Sequence, residues 1–217
     1  MERTRFLDLQ ASSGSARSFA ASGKDVSELK TEIVRKSIHF LIALSPLMAS
    51  ISRPVTVLFL MAGTLGYTLM EYLRFCGVRI PVISSLTNMA SRSRDMGRFV
   101  MGPVTLGLGA LLALLLYPSP VASIAIYALA FGDGFASLIG KLFGKWRPAI
   151  LCGKSVEGSL ACFSAVFISA YSVSHNINIA IVAAFTATVV EALPLEDYDN
   201  MLIPVTVGLA VQFVSFL

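Results

Sequence analysis

Charge is what this chain has least of. Only 14% of its 217 residues are Asp, Glu, Lys or Arg, against roughly 25% in a soluble domain. It therefore lacks the polar side chains to cover an ordinary globular surface. Cysteine is scarce too: Cys76, Cys152 and Cys162 are odd in number and form no CxxC pair, which excludes a zinc cluster and a disulfide framework. No nucleic-acid motif occurs. What fills the chain is apolar, with 55% hydrophobic residues and a mean hydropathy of +0.75. Composition alone makes it an integral membrane protein.

A span needs about 20 mostly apolar residues. Seven segments qualify as candidates: 37–52, 54–73, 99–117, 119–139, 158–174, 177–193 and 200–217. The expected fold is all-α, about seven transmembrane helices preceded by a short interfacial helix. Residues 1–23, rich in Ser, Ala and Gly, are expected to be a flexible segment, and 24–217 a single membrane-embedded domain. Of the 17 basic residues, 16 fall in the N-terminal segment, the loop after the second span or the loop after the fourth; only Arg53 lies in an alternate loop. The positive-inside rule then puts the N-terminus in the cytoplasm and the C-terminus outside. Nearly every group capable of charge chemistry gathers at one face.

Four constellations stand on that face. Glu32, Arg35, Lys36 and His39 recur at i, i+3, i+4 and i+7 and so share one helix face. They read either as a Glu32–Lys36 pair with a snorkelling arginine or as a cationic face for phosphates. Asp133 interrupts the apolar run Val121–Phe131, and a carboxylate within a span is functional by default; the bland alternative is an ion pair with Lys141. Asp133, Ser137 and Lys141 make a polar stripe at four-residue spacing, while Gly132, Ala136, Gly140 and Gly144 make a stripe of small residues suited to close helix packing. Gly153-Lys154-Ser155 resembles a P-loop, but Pro148 stands where that motif needs glycine. What survives is a glycine, a lysine and a hydroxyl at the start of the fifth span, a combination that suits phosphate. Finally, Glu191, Glu196, Asp197 and Asp199, with Asp133 or Glu157, face the same surface as the lysines. Oxygen ligands beside phosphates read as a Mg²⁺ site, with Asp199-Asn200 favoured over Glu196 and Asp197; the alternative is a solvated acidic loop.

In this order, Glu32-x-x-Arg35-Lys36-x-x-His39, Gly132-Asp133-x-x-Ala136-Ser137-x-x-Gly140 with Gly144, Lys154-Ser155-x-Glu157-Gly158 and Glu191-Ala-x-Pro with Asp199-Asn200-x-x-Ile-Pro204 resemble the polyprenol kinase family. That family contains dolichol kinase, phytol kinase and CTP-dependent diacylglycerol kinase. The resemblance covers about 32–210 and implies a lipid alcohol as acceptor, CTP as donor and Mg²⁺ as cofactor. It implies catalytic roles for Asp133, His39 and Lys154. Arg35, Lys36, Gly132, Ser137, Gly140, Lys141, Gly153, Lys154, Ser155 and Glu157 would hold nucleotide, and Asp133, Asp199, Asn200 and Glu191 metal. The expected location is the cell membrane in a microbe, or the endoplasmic reticulum or plastid membrane in a eukaryote. The middle block also resembles phosphatidate cytidylyltransferases, the nearest rival; an ion-coupled transporter is the rival from another class.

The charge asymmetry generates a topology test. Single cysteines introduced at Ser119 and Asn176 are expected to label from outside the cell, and those at Ser93 and Lys145 only after permeabilisation. External labelling at position 145 would overturn the shared-face reading.

Overall fold

The computed structural model describes residues 28–78 and 98–216. The expected flexible segment 1–23, the loop basic residues Arg79, Arg92 and Arg94, and the labelling position Ser93 lie outside the described residues. Among those described the chain is all-helical, with no strand. Seven helices follow in order: α1 (28–42), α2 (Ser45–Phe75), α3 (Gly102–Leu116), α4 (Val121–Leu142), α5 (Val156–Ser174), α6 (Ile177–Ala192) and α7 (Asp199–Ser215). Three of them, α2, α4 and α5, are long and apolar enough to cross a membrane, and α3, α6 and α7 are shorter apolar helices.

Prolines punctuate the first hairpin. Pro46 has no N–H for the carbonyl of Ile42, and the chain turns at Ala43 and Leu44 between α1 and α2. The freed carbonyl accepts instead from the Ser45 hydroxyl at 2.7 Å. Within α2 a second break falls at Ser52, whose backbone is extended (φ −154°, ψ 102°). Pro54 stands at the start of the arm that follows, where a missing N–H is harmless. The expected boundary between the first two spans, Ile51–Arg53, is thus a kink inside α2. Arg53, the isolated basic residue, donates to the carbonyls of Leu114 and, at 2.7 Å, Tyr117. It caps the end of α3, where carbonyls lack helical partners and a cation is favoured.

α4 is the central helix: 61% of its most apolar stretch is buried, against 17% for α2 and 28% for α5. Its two stripes face different neighbours. Gly132, Ala136 and Gly140 lie on α5, which presents Gly158, Cys162 and Val166 at the same four-residue spacing, and Gly144, just past the end of α4, lies against Ser155 at the cap of α5. A Cβ at Gly158 would stand 2.7 Å from the Ala136 carbonyl oxygen and 3.3 Å from Gly140 Cα, and one at Gly132 would stand 2.8 Å from Val166 Cγ2. The expected close packing of the small stripe is what the structure has. On the other side, α7 packs on α3: Pro204 leaves the Asn200 carbonyl without its helical donor, and Gly109 of α3 lies directly against that carbonyl. Ile124, Leu129, Ala183, Ala187, Ile203 and Val207 fill the space between α4, α6 and α7.

Backbone atoms cannot yield as side-chain tips do. Gly158→Ala is therefore expected to lower stability by about 1–3 kcal/mol, read as a drop in thermal unfolding temperature in detergent. Gly66→Ala, whose new methyl meets nothing within 4 Å, serves as the control and should not lower it.

Candidate functional site

Two helix faces legible in the sequence meet each other. α1 presents Glu32, Lys36 and His39; α4 presents Asp133, Ser137 and Lys141. Glu32 Oε1 accepts from Ser137 Oγ at 2.5 Å and Glu32 Oε2 from Lys141 Nζ at 2.8 Å. One turn further along α1, Lys36 Nζ pairs with Asp133 Oδ2, and His39 Nδ1 lies 3.0 Å from the same oxygen. Sequence number rises along α1 as it falls along α4, so the ladder is antiparallel. Glu32, Lys36, His39 and Asp133 are all buried. The pairings differ from both local readings: Lys36 takes Asp133, and Lys141 takes Glu32. Glu32 still keeps its helical neighbour Arg35 at 2.8 Å, while Lys36 and Lys141 find their carboxylates across the interface.

Asp133 owes its place to a local irregularity. Ala128–Asp133 form a π-helical segment between the two α-helical parts of α4. Such segments shift the side chains that follow around the helix axis and recur at functional sites. Gly134 next to it admits the Phe40 ring, whose Cε1 would be 2.6 Å from a Cβ there. No period in the sequence announces this segment.

Beside the ladder lies a polar cavity of about 260 Å³. Arg35, Lys141, Arg147 and Lys154 bring positive charge to it; Asp133, Glu191, Glu196 and Asp199 bring negative. Arg35 is bonded to Glu32 (Nη2–Oε1 2.8 Å) and lies 3.7 Å from Asp197. Burial opposes its charge, but the carboxylates of Glu32 and Asp133 outweigh this and push its pKa above the ordinary arginine value. Gly140, Gly153, Ser137 and Ser155 also line the cavity. Cys152 and Gly153 both have left-handed backbones (φ 49° and 91°), which turn the chain into α5. Ser155 caps that helix by accepting from Gly158 N at 3.1 Å. Lys154 pairs with the Glu191 carboxylate at 2.8 Å and also donates to its carbonyl.

Several named residues stand elsewhere. Lys36 is fully buried behind Asp133, and neither it nor His39 lines this cavity. Glu157 accepts from the backbone N–H groups of Lys145 and Trp146, at 3.1 and 3.2 Å, and so shapes the loop before α5. Gly132 lies under Val166 and Cys162. Asn200 donates its amide to Thr105 Oγ1 at 3.0 Å, toward α3, while its Oδ1 is buried without a hydrogen-bond partner. Sequence reasoning passed over Arg147, which donates to the Gly140 and Gly153 carbonyls at 2.8 and 2.6 Å, and set Glu196 aside. The signal for Arg147 was its place between two glycine turns, where free carbonyls collect.

The chemistry of the donor set can be compared with Mg²⁺. Among the described residues no group of three or more His, Cys, Asp or Glu is arranged to hold a metal unaided. Asp133 and Asp199 nevertheless line one cavity with four cations, and one or two carboxylates plus phosphate oxygens are the usual setting for that ion. The residues fit a metal that arrives with a polyphosphate.

An apolar chamber of about 630 Å³ lies on the other side of His39, between α1, α2 and α3. Arg35 lines both spaces. The fold and site therefore define a helical protein with apolar membrane-type helices, in which a buried charge ladder separates a polar cavity from an apolar one. Comparison with known proteins agrees with that class. A probable phytol kinase of Triticum aestivum is 28% identical over 61% of this chain and 49% of its own length. The CTP-dependent diacylglycerol kinase 1 of Eremothecium gossypii is 29% identical over 45% of this chain and 39% of its own. An uncharacterized protein of Methanocaldococcus jannaschii is 28% identical over 83% of this chain and 93% of its own. The chain thus spans about half or less of the two kinase-named relatives and nearly all of the archaeal one. No family model and no solved structure matches it. The chain is related to the polyprenol and lipid kinases, the relationship its motifs implied.

Removing one member of a buried ion pair leaves the other charge stranded. Asp133→Asn is expected to destabilise the protein by about 3 kcal/mol or more, because Lys36 is fully enclosed and loses the carboxylate it is paired with. The double variant Lys36→Met/Asp133→Asn should recover much of that loss in detergent melts. Equal stability of Asp133→Asn and the parent chain would mean that the ladder does not hold α1 in place.

Proposed function

We propose that the protein is a CTP-dependent lipid kinase, a multi-pass membrane protein of about seven spans with its N-terminus in the cytoplasm. In this reading it passes the γ-phosphoryl group of CTP to the hydroxyl of a membrane alcohol at the cytoplasmic face. The observation that carries the proposal is the meeting of two cavities of opposite polarity at Arg35 and the His39–Asp133 contact. A lipid hydroxyl comes from the bilayer and a nucleotide from the cytosol, and here each has a compartment with one wall between them.

Phosphoryl transfer asks for positioning and charge neutralisation. Arg35, Lys141, Arg147 and Lys154 are the cations for the triphosphate, with Lys154 aimed by Glu191. Asp133 and Asp199 would hold Mg²⁺, which when bound neutralises phosphate charge. His39, whose Nδ1 lies 3.0 Å from Asp133, is the group placed to take the acceptor's proton. The hydroxyl oxygen bonds to the γ-phosphorus, the bond from that phosphorus to the β,γ-bridging oxygen breaks, and CDP leaves.

The reaction class is tested by the fate of label. Purified protein receives CTP labelled at the α or the γ phosphorus, with Mg²⁺ and a mixture of prenols, diacylglycerol and phosphatidate. The γ-label is expected in the organic phase, the α-label in water, and ATP should substitute poorly. Organic-phase α-label would identify a cytidylyltransferase instead; no organic label from either would remove the kinase and favour a transporter.

A further inference from the structure

We propose that residues 143–151, between α4 and α5, form a foot that embeds Phe143, Trp146 and Ile150 in the headgroup layer of one leaflet, with Lys145 against an anionic lipid headgroup. Phe143, Trp146 and Ile150 are 62%, 67% and 87% exposed, and no residue of the turn Ala149–Leu151 is buried. Exposed apolar side chains on the spans face hydrocarbon and need no further account. These three lie beyond the helix ends, where they would meet water unless the loop lies on the bilayer.

The backbone holds them outward. Phe143 N donates to the Ile139 carbonyl at 2.8 Å and Val156 N to the Trp146 carbonyl at 3.0 Å. Glu157 accepts from the N–H groups of Lys145 and Trp146. Arg147 donates to the carbonyls of Gly140 and Gly153, and Leu151 N closes the last turn on the Pro148 carbonyl at 3.0 Å. A loop tied at so many points does not fold its apolar side chains inward. Exposed apolar groups gathered in this way mark a membrane or a partner surface.

Charge and position choose the lipid. From Lys141 to Lys154 the chain carries four basic residues and no acidic one. Lys141 and Lys154 are paired with Glu32 and Glu191, and Arg147 lines the polar cavity. Lys145 is exposed and has no ion-pair partner among the described residues. Aromatic rings settle at the membrane interface, and a lysine beside them reaches the headgroups. Both ends of the loop run into helices long and apolar enough to cross a membrane, α4 and α5, which keeps it at that depth. Seated there, the loop also holds Arg147 and Gly153, and with them the wall of the polar cavity, at headgroup level.

Trp146 is the chain's single tryptophan, so native fluorescence reports on this loop alone and needs neither nucleotide nor acceptor. The full-length protein is placed in phosphatidylcholine nanodiscs containing some phosphatidylserine, with lipids brominated near the glycerol or near the methyl end of the chain. Emission should be blue-shifted from that of tryptophan in water. Glycerol-end bromine should quench it at least about twice as strongly as methyl-end bromine, as expected for a ring at the interface. At equal mole fraction, brominated phosphatidylserine should be enriched about fivefold over brominated phosphatidylcholine around the ring, the worth of one lysine at an anionic surface. Lys145→Gln should abolish that enrichment. Ile150→Glu should weaken the glycerol-end quenching without lowering the melting temperature in detergent. Water-like emission without quenching overturns the foot. Blue-shifted emission without quenching gives the surface to a protein contact, a second copy included, and overturns it as well. Quenching that does not change in Ile150→Glu removes Ile150 from the foot. A phosphatidylserine preference that is absent, or that survives Lys145→Gln, overturns the headgroup contact.

Discussion

Burying a charge without a partner is the constraint on which the rest of this structure depends. Lys36 and Glu32 are fully enclosed, and neither stays charged there unless an opposite charge is enclosed with it. α4 supplies those opposites at matching spacing, Asp133 for Lys36 and Lys141 for Glu32. Once α1 is fixed by that ladder, its far side becomes a wall of the apolar slot. Arg35, one residue before Lys36, is thereby placed where both cavities reach it. One antiparallel helix contact sets the barrier between polar and apolar space.

The same helix, α4, must satisfy two unlike neighbours, and its sequence does so with two interleaved stripes. Small residues at 132, 136 and 140 let α5 approach to backbone contact; polar residues at 133, 137 and 141 meet α1. The stripes run one residue apart, so a shift of one residue in helical register would press polar groups on α5 and glycines on the charges of α1. Close packing on one side therefore also fixes the aim of Asp133 on the other.

Much of this was legible in the residues. Both stripes of α4, the charged face of α1 and the helical character of the described residues follow from spacing alone, because helical periodicity is local. What stayed hidden is non-local or irregular. Spacing could not say that Lys36 would be buried behind Asp133, since the choice between solvent and partner is made across 97 residues. The π-helical segment at Ala128–Asp133 leaves no periodic trace. Arg147 looked like one more loop cation until the carbonyls of Gly140 and Gly153 gave it a fixed place. Arg53 broke the charge asymmetry as an apparent exception, and its reason lies at the end of α3, sixty-one residues away.

Proline and glycine complete the logic at the edges of the slot. Pro46 and the extended Ser52 interrupt the helix at two places along the first hairpin, and serine and threonine hydroxyls take up carbonyls beside each break. Within an apolar surround those carbonyls need donors, and the nearest side chains provide them at the expense of any ligand. The repair of the backbone thus also occupies the Ser45 and Thr56 hydroxyls of the slot. At the polar end of the slot stands His39, with the ladder's Asp133 3.0 Å from its ring nitrogen. The breaks that shape the apolar path and the charges that end it act together to confine polar chemistry to a single wall.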